Sequence, residues 1–211
     1  METVRMIVVL TAISAVSGLS LAAFNNHAQP IIKVAEKTLI VNTQLKKVIP
    51  DASTPSPCDK ARPGFDNNPL DDTVCLEGKE VYRLKKGGDI VGYAFKTVGD
   101  EAYSGTITCL LGLSPDGVVK GIEIVKHEET PGLGSEIESC EWRKQLVGKG
   151  PKDMNWSVTK DGGEVDQISG ATISSRSVLD CIEKGREYLK EKRVAIDGAT
   201  PLGDGEECHA E

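Results

Sequence analysis

The chain has 211 residues, with 25 Lys and Arg against 32 Asp and Glu, so its formal net charge is −7. An apolar content of 39% and a charged content of 27% are typical of a globular protein and exclude a disordered, collagenous or coiled-coil chain. The length suffices for one domain with a hydrophobic core, or at most two small ones. The acidic balance and the 4% aromatic content argue against nucleic acid as a partner, because phosphates need clustered Lys and Arg and bases need aromatic side chains for stacking.

An apolar run without a charged residue occupies residues 6–24. At about 1.5 Å of rise per residue, a helix of this length crosses the hydrocarbon core of a bilayer. Arg5 precedes the run, so we predict that residues 1–5 stay in the cytoplasm and that the rest is exported. A cleaved signal peptide is the alternative, with a small-x-small site at residues 20–22, but the length of the run favours an uncleaved anchor.

Residues 25–78 are predicted to form a helical stalk followed by a Pro-rich loop. An amphipathic pattern covers residues 30–49 and stops at Pro50, since proline cannot continue a helix. Five of the ten prolines lie at positions 50–69, and this density is typical of an irregular loop.

Strand patterns dominate the next part of the chain. We expect strands over residues 80–85, 90–98, 106–113 and 118–125, with a turn over residues 114–117 between the last two. Helical and short elements follow, namely a helix over residues 134–147 with Ile137, Trp142 and Leu146 facing inward, a short strand over residues 156–159, a turn over residues 160–163 and a last helix over residues 174–192.

The last helix carries its apolar and small side chains on one face, formed by Val178, Cys181, Ile182, Gly185 and Leu189. Such a face packs on a sheet. Residues 79–192 are therefore predicted to form one compact α+β domain with mostly antiparallel strands and flanking helices. Residues 193–211 are predicted to be a flexible acidic tail.

The first segment with a functional signal is residues 166–172, Asp-Gln-Ile-Ser-Gly-Ala-Thr, directly before the last helix. Small residues bring backbone N–H groups close to a ligand, and a helix amino end favours an anion. Thr172 places a hydroxyl at that point, so the segment suits a phosphate held at, or esterified to, a hydroxyl. The alternative is a plain helix cap with a tight turn, which local physics alone favours.

The second segment is a Gly-rich loop over residues 127–134 that leads into a helix. It is not a dinucleotide fingerprint, because the third Gly would fall at Ile137. It is not a zinc-protease helix either, because His127 has no second His four residues on. His127 and Glu129 could ligate a metal, but a solvated strand end is favoured, so no metal site is predicted.

Together the two segments resemble the FMN-binding domain found in the G subunit of the Rnf electron-transport complex and in its relative, the C subunit of the sodium-pumping NADH:quinone reductase. In that family the signature Asp-x-x-Ser/Thr-Gly-Ala-Thr carries FMN on its final Thr through a phosphodiester, and here it is complete at residues 166–172. Residues 130–134 resemble the second flavin-contacting loop, and residues 103–105 and 156–163 match further landmarks. The short chain and the turn at residues 160–163 are closer to the Rnf protein.

The resemblance implies FMN, covalently attached to Thr172 by a separate flavin transferase, as the cofactor. It implies no catalytic side chain, since the flavin supplies the redox chemistry. Local chemistry suggests that the backbone donors of the second loop hold the flavin and that Leu133 contacts its ring. The implied cofactor-binding residues are Thr172, Ser169, Gly170, Ala171, Ser174, Glu129, Thr130, Gly132, Leu133 and Gly134.

Residues 198–200 repeat the letters Gly-Ala-Thr but lack the preceding Asp-x-x-Ser and precede Pro201, so the short motif alone has little specificity. The six cysteines form no Cys-x-x-Cys pair, which argues against a haem or cluster site. We expect Cys109, Cys140 and Cys181 in the core. Cys58, Cys75 and Cys208 lie in loops, where two could pair in an oxidising compartment, Cys58 with Cys75 being nearest.

By this resemblance the chain is a membrane-anchored flavoprotein subunit that relays electrons within an Rnf-type ion-translocating ferredoxin:NAD oxidoreductase, and it is not a complete enzyme alone. The implied partners are the other membrane and peripheral subunits, the flavin transferase and the lipid around one helix. The implied location is the inner membrane, with a single span, a cytoplasmic amino terminus and a periplasmic domain. The alternatives are the corresponding protein of the quinone reductase and a non-catalytic exported module that binds a phosphorylated ligand without flavin.

Overall fold

The computed structural model describes residues 2–39, 72–203 and 208. The chain divides into two units, Met1–Asn42 and Thr43–Glu211, which we describe separately. The second half of the predicted stalk helix, the Pro-rich loop up to residue 71 and Cys58 lie outside the described residues.

The first unit consists of a single long helix, α1, Glu2–Leu39. Its segment Arg5–Ala22 has a mean hydropathy of 1.8 and is, by length and composition, apolar enough to cross a membrane, in agreement with the predicted apolar run. Ser14 donates its hydroxyl proton to the Leu10 carbonyl (2.9 Å), so this polar side chain needs no water. The stalk helix predicted to begin at Pro30 is instead the continuation of α1, which runs through this residue to Leu39.

The second unit is built on a five-stranded antiparallel sheet whose strands lie side by side in chain order. The strands are β1 (Thr73–Leu76), β2 (Lys79–Lys86), β3 (Asp89–Ala102), β4 (Gly105–Leu113) and β5 (Val119–Lys126). Four of them confirm the predicted strands, and the long β3 pairs with both of its neighbours, so that Phe95 lies opposite Val81 on one side and Leu111 on the other. These three side chains are fully buried and form part of the core.

Strand β1 is an addition to the prediction, which assigned its residues to the Pro-rich loop. Its four residues are too few to show an alternating pattern. Glu77, at φ 52°, and Gly78, at φ 72°, turn the chain into β2 directly behind it. The predicted boundary between the Pro-rich loop and the compact domain, at residues 78 and 79, therefore falls inside the hairpin of β1 and β2.

The region after the sheet is more broken than the sequence indicated. The predicted helix over residues 134–147 is a 3-10 helix (Gly134–Glu138) followed by a single α-helical turn, α2 (Cys140–Arg143), because Ser139 between them has an extended backbone. Ile137 and Leu146 are nevertheless buried, and Trp142 packs against the core, as predicted. The predicted strand over residues 156–159 is reduced to one parallel bridge between Val158 and Val165, and Thr159 already opens a 3-10 turn, Thr159–Asp161.

The last helix, α3 (Thr172–Gly198), lies across the sheet and contacts β3 and β4. Its predicted inward face is confirmed, since all five residues of that face are buried. Gly185 lets the helix approach the sheet closely, because a Cβ atom there would lie 2.4 Å from Leu111 Cδ2. Helix α3 begins two residues earlier and ends six residues later than predicted, so residues 193–198 are not part of a loose tail.

Beyond α3 the chain returns along the edge of the sheet. The Leu202 amide donates to the Thr73 carbonyl of β1 (2.8 Å), and Cys208 is joined to Cys75 by a disulfide. The nearest pairing that the sequence offered, Cys58 with Cys75, is therefore wrong, because Cys75 is bonded to Cys208.

The remaining described cysteines divide into two kinds. Cys109 and Cys181 are buried free thiols, as predicted for core residues. The prediction that Cys140 lies in the core is wrong, because this residue is only half-buried, and it is disulfide-bonded.

Candidate functional site

The segment over residues 166–172 forms a tight turn that leads directly into α3. Gly170 has a positive φ of 78°, which favours glycine, and the Ala171 amide donates to the Ile168 carbonyl (3.0 Å). Ser175, on the first turn of α3, accepts a hydrogen bond from the Ile168 amide (3.1 Å). Ser169 and Gly170 are exposed at the tip of this turn. The turn is therefore held in shape by its own backbone and by the helix that it starts.

Thr172 is the first residue of α3 and is half-buried. Among the described residues, nothing accepts or donates a hydrogen bond at its hydroxyl. The preceding Ala171 provides no side-chain cap, and the first turn of α3 contains no acidic residue. The hydroxyl and the partial positive charge of the helix amino end are thus both available to an anion.

A buried carboxylate from the second loop reaches the same helix end. Glu129 is buried, and its Oε2 accepts the Ser174 hydroxyl at 2.5 Å while its Oε1 accepts the Ser104 amide at 2.9 Å. Within the described part of the chain it forms no ion pair. Glu129 therefore joins three segments that are distant in sequence: the β3–β4 turn, the second loop and the first turn of α3.

Two glycines allow the two loops to touch. A Cβ atom at Gly170 would lie 2.9 Å from Leu133 Cδ1, and one at Gly134 would lie 2.8 Å from Glu129 Cβ and 3.1 Å from Ser174 Oγ on α3. The positive φ of Gly170 also favours glycine at that position. The structure thus brings the two predicted segments together at positions where glycine leaves the space that they need.

The second loop uses its own backbone donors internally. Thr130 accepts hydrogen bonds at its carbonyl from the amides of Leu133 and Ser135 (both 3.2 Å), and the Gly132 amide donates to Ser135 Oγ (2.9 Å). Two of the three backbone donors predicted to hold the flavin, those of Gly132 and Leu133, are therefore engaged within the loop. The loop instead presents the Leu133 side chain, which is 43% exposed despite being apolar.

Further apolar side chains are exposed around the helix start. Ile173, next to Thr172, is 42% exposed, and Tyr103, next to Ser104, is 71% exposed. An apolar side chain that is left in water favours a flat apolar ligand that would cover it.

His127 is held away from a ligand role. Its Nδ1 accepts the Glu129 amide (3.1 Å), so the neutral ring carries its proton on Nε2, which lies 3.0 Å from Glu138 Oε1. In the described ranges there is no group of three or more metal-ligating side chains.

Several supporting residues escaped the sequence analysis. Trp142 Nε1 donates to the Asp166 carbonyl (2.7 Å), and Gln145 contacts both the amide and the carbonyl of Asp166. Arg176, four residues after Thr172, forms two hydrogen bonds to Asp161. Only the spacing of Arg176 along a helix gave a signal in the sequence; the other contacts arise from tertiary packing.

Comparison with protein families gives a match over the middle of the second unit. Residues 102–187 match the FMN-binding domain family. The matched segment begins at the end of β3 and includes both loops and most of α3. The predicted resemblance to the FMN-binding domain is confirmed over these residues.

Among known proteins, this chain is similar to proteins named as the G subunit of an ion-translocating oxidoreductase complex. The one from Haemophilus influenzae strain PittEE is 40% identical over 127 residues, covering 55% of this chain and 61% of that protein. The one from Erwinia tasmaniensis is 36% identical over 132 residues, covering 60% of this chain and 63% of that protein. The resemblance to this group of proteins is confirmed, and the matched part spans less than two thirds of these relatives.

A solved structure, NqrC from Shewanella oneidensis, aligns with a TM-score of 0.44 and 21% identity over 57% of this chain and 62% of that chain. A similarity of this size supports no conclusion about the present protein.

A site for FMN with the predicted covalent link must supply room at a hydroxyl, stabilisation for a phosphate and an apolar contact for the ring. The unpartnered Thr172 hydroxyl at the open end of α3 provides the first two, and the exposed Leu133 and Ile173 side chains provide the third. Gly170 leaves the space in which the turn contacts Leu133, and its positive φ favours glycine there. The residues present fit FMN.

Proposed function

We propose that this chain is a membrane-anchored flavoprotein subunit that relays electrons through FMN attached covalently to Thr172. The proposal assigns it to an Rnf-type ion-translocating ferredoxin:NAD oxidoreductase complex. The observation that carries it is the match of residues 102–187 to the FMN-binding domain, together with an unpartnered Thr172 hydroxyl at the amino end of α3. The similarity to the G subunits of ion-translocating oxidoreductase complexes supports the choice of complex.

When bound, FMN supplies the electron-accepting and electron-donating chemistry. Thr172 supplies the oxygen of a phosphodiester, which keeps one negative charge. The amides at the start of α3 stabilise that charge, and the nearby Glu129 carboxylate is bonded to the Ser174 hydroxyl. Ser169, Gly170 and Ala171 form the turn that brings this backbone to the ligand.

The second loop contributes an apolar surface for the ring and hydrogen bonds that hold the site together. Leu133 offers its apolar side chain to the ring, and Thr130 and Gly132 hold the loop in shape through its internal hydrogen bonds. Glu129 fixes the loop to α3 through Ser174. Gly134 leaves the space that this contact needs.

A separate flavin transferase makes the covalent link, as the resemblance to the FMN-binding domain implies. The other subunits of the complex act as electron donor and acceptor. A tether is useful outside the cytoplasm, where free FMN is dilute, because it keeps the cofactor at its site.

For the location we propose the inner membrane, with a single span, a cytoplasmic amino terminus and a periplasmic second unit. Arg5 at the start of the apolar segment supports this orientation. The disulfide between Cys75 and Cys208 also supports it, because disulfides persist in oxidising compartments and are rare in the cytosol.

Two threonine variants test the proposal, since the chain contains Gly-Ala-Thr twice. The full-length protein is produced in the membrane together with a flavin transferase, and flavin fluorescence is recorded in a denaturing gel. Thr172→Ala should abolish the fluorescent band, whereas Thr200→Ala should retain it at full intensity. Electron transfer through the assembled complex should be lost only in Thr172→Ala.

The control for folding is the amount of each variant in the membrane, which should equal that of the wild-type protein. A fluorescent band that persists in Thr172→Ala would mean that the flavin is attached to a residue other than Thr172. A wild-type protein without bound flavin would leave an exported binding module and would end the electron-relay proposal.

A further inference from the structure

A cationic side chain with no role in the site described so far lies on the first turns of α3. Arg176 follows Thr172 by four residues on the same helix. Residues at this spacing lie on one helix face with their Cβ atoms about 5–6 Å apart. The guanidinium of Arg176 therefore extends from the same face as the Thr172 hydroxyl.

Arg176 is held in one orientation. Its Nε donates to Asp161 Oδ2 and its Nη2 donates to Asp161 Oδ1, both at 2.7 Å, a planar two-bond arrangement. The Arg176 guanidinium, mainly through these hydrogen bonds, lowers the pKa of the Asp161 carboxyl, which is therefore ionised.

Asp161 is in turn fixed relative to the signature turn. It lies in the 3-10 turn Thr159–Asp161, which ends at Gly162 with a left-handed φ of 81°. Gln167, inside the signature, accepts hydrogen bonds at its Oε1 from the Thr159 hydroxyl (2.7 Å) and the Lys160 amide (3.1 Å). Asp161 thus moves with the segment that carries Thr172.

Arg176 has donors to spare. An arginine carries five N–H donors, and Asp161 uses two of them. No other acceptor among the described residues engages this side chain. On its other side Arg176 borders an acidic cleft of about 550 Å³, whose lining includes Asp100, Glu101 and Asp180 and does not include Thr172. Lys184, the other cation of that cleft, already contacts Val98, Asp100 and Asp180.

We propose that Arg176, oriented by Asp161, is a positioning residue that binds the phosphodiester on Thr172. This inference rests on the proposed function. Charge-assisted hydrogen bonds from a guanidinium to a phosphate are strong and directional. They add to the stabilisation by the helix end, so the tether is held at two points and the flavin keeps one orientation.

If the pair of Arg176 and Asp161 only stabilised the fold, replacing Arg176 would lower the stability of the protein and leave the environment of the phosphate unchanged. Both side chains of the pair are about half exposed, at 46% for Arg176 and 40% for Asp161, and exposed ion pairs contribute little to stability. Replacing Arg176 should therefore leave the fold intact and change only the environment of the phosphate.

The test is the phosphorus NMR signal of the covalently bound FMN in the full-length protein, in a detergent without phosphorus. Arg176→Gln removes the charge at the site, and Lys190→Gln removes one charge from the same helix, about 27 Å from Thr172 along its axis. Arg176→Gln should shift the phosphodiester resonance and narrow it, because the phosphate gains mobility. Lys190→Gln should match wild type, and Arg176→Lys should fall between the two.

Equal flavin loading, verified by the mass of each intact protein, separates the two proposals. A resonance in Arg176→Gln identical to wild type at equal loading would overturn the role of Arg176 and leave the attachment at Thr172 standing. Absence of flavin in wild type would overturn both. If Arg176→Gln fails to fold, Asp161→Asn takes its place in the test. This variant releases the Arg176 guanidinium and should therefore narrow the phosphodiester resonance. An unchanged resonance would contradict the proposal.

Discussion

At the scale of single residues, the Glu129 carboxylate and the Ser174 hydroxyl form a buried contact between the second loop and α3. A carboxylate that is 5% exposed has a hydroxyl at 2.5 Å and one amide at 2.9 Å, and no ion-pair partner among the described residues. Buried charges of this kind depend on every hydrogen bond that they receive. The contact also couples the second loop to the first turn of α3, where Thr172 lies.

Ser174→Ala should therefore lower the free energy of unfolding by about 1–3 kcal/mol, the usual cost of leaving a buried polar group without its partner. Urea denaturation of the full-length protein in detergent, followed by tryptophan fluorescence, measures this loss, because both tryptophans lie in the second unit. In a Glu129→Gln background the same substitution should cost less, since no charge is then left behind. Equal losses in both backgrounds would contradict this account.

At the residue scale the sequence indicated the candidate attachment residue and the two loops, but not the tertiary hydrogen bonds that hold them in place. Thr172 and the Gly-rich character of both loops were evident from the spacing of small residues before a helix. The bond between Glu129 and Ser174 was not, because 45 positions separate them and only the fold brings them together. The internal use of the Gly132 amide was hidden for a similar reason, since it depends on the conformation of the loop.

At the scale of elements, the position of α3 on the sheet determines where Thr172 lies. Gly185 is at the closest approach, where a Cβ atom would lie 2.4 Å from Leu111 Cδ2 and 3.1 Å from Thr97 Cγ2. Protein interiors are close-packed and absorb an extra methyl group only by shifting side chains or backbone.

Gly185→Ala should destabilise the second unit by about 1–3 kcal/mol, because overpacking outweighs the better helix propensity of alanine. Gly198→Ala is the matched control, since nothing lies within 4 Å of a Cβ atom at the last residue of the same helix. Thermal unfolding should separate the two variants by several degrees. A Gly185→Ala protein as stable as the control would mean that α3 lies farther from the sheet.

The far end of α3 is attached to the sheet through Tyr93. Its hydroxyl donates to Asp197 Oδ1 at 2.5 Å, and burial, together with this bond, raises the pKa of Tyr93 to about 12. The unfolded chain releases the same proton near pH 10. The contribution of this group to stability is therefore complete below pH 10 and is lost as the pH rises towards 12, since the folded state then binds more protons than the unfolded state.

Tyr93→Phe should reduce the decrease of unfolding free energy between pH 10 and pH 12 compared with wild type. Burial also raises the pKa of Tyr82, so part of the alkaline decrease should remain in the variant. Denaturant curves at pH 9, 10, 11 and 12 provide the comparison. Identical slopes for both proteins would show that Tyr93 is not protected in the folded state.

Among the elements, long periodic patterns were predicted well and short ones were not. Strands β2 to β5 and the inward face of α3 follow from alternation and helical periodicity, which a buried core imposes directly on the sequence. The helix over residues 134–147 was wrong because its buried positions, Ile137 and Leu146, also fit two short turns separated by an extended Ser139. Strand β1 is set by its neighbour β2 and by the returning tail rather than by its own four residues.

At the scale of the whole molecule, the chain consists of an apolar helix and a folded second unit that is stabilised at its edge. The disulfide between Cys75 and Cys208 spans 133 positions and joins the first strand to the tail. Such a long loop restricts the unfolded chain strongly. The spacing in the sequence favoured Cys58 as the partner of Cys75. Proximity in the chain does not show which segment returns to β1.

Cys208→Ser should lower the free energy of unfolding by about 2–5 kcal/mol. Cys75→Ser should cause the same loss, and the double variant should lose no more than either single variant, because one bond is removed in all three. Urea denaturation under non-reducing conditions checks this. Losses that add up in the double variant would mean that the two cysteines act independently.

Covalent attachment of FMN at Thr172 can be read out directly by peptide mass mapping of the denatured full-length protein after co-production with a flavin transferase. We expect one peptide that contains residues 166–172 and carries the added mass of FMN less water, with fragmentation locating it on Thr172. A modified peptide that contains Thr200 instead would contradict the assignment of the site. An unmodified Thr172 peptide at full recovery, with no flavin elsewhere in the chain, would contradict the proposal of a covalent electron-relay flavoprotein.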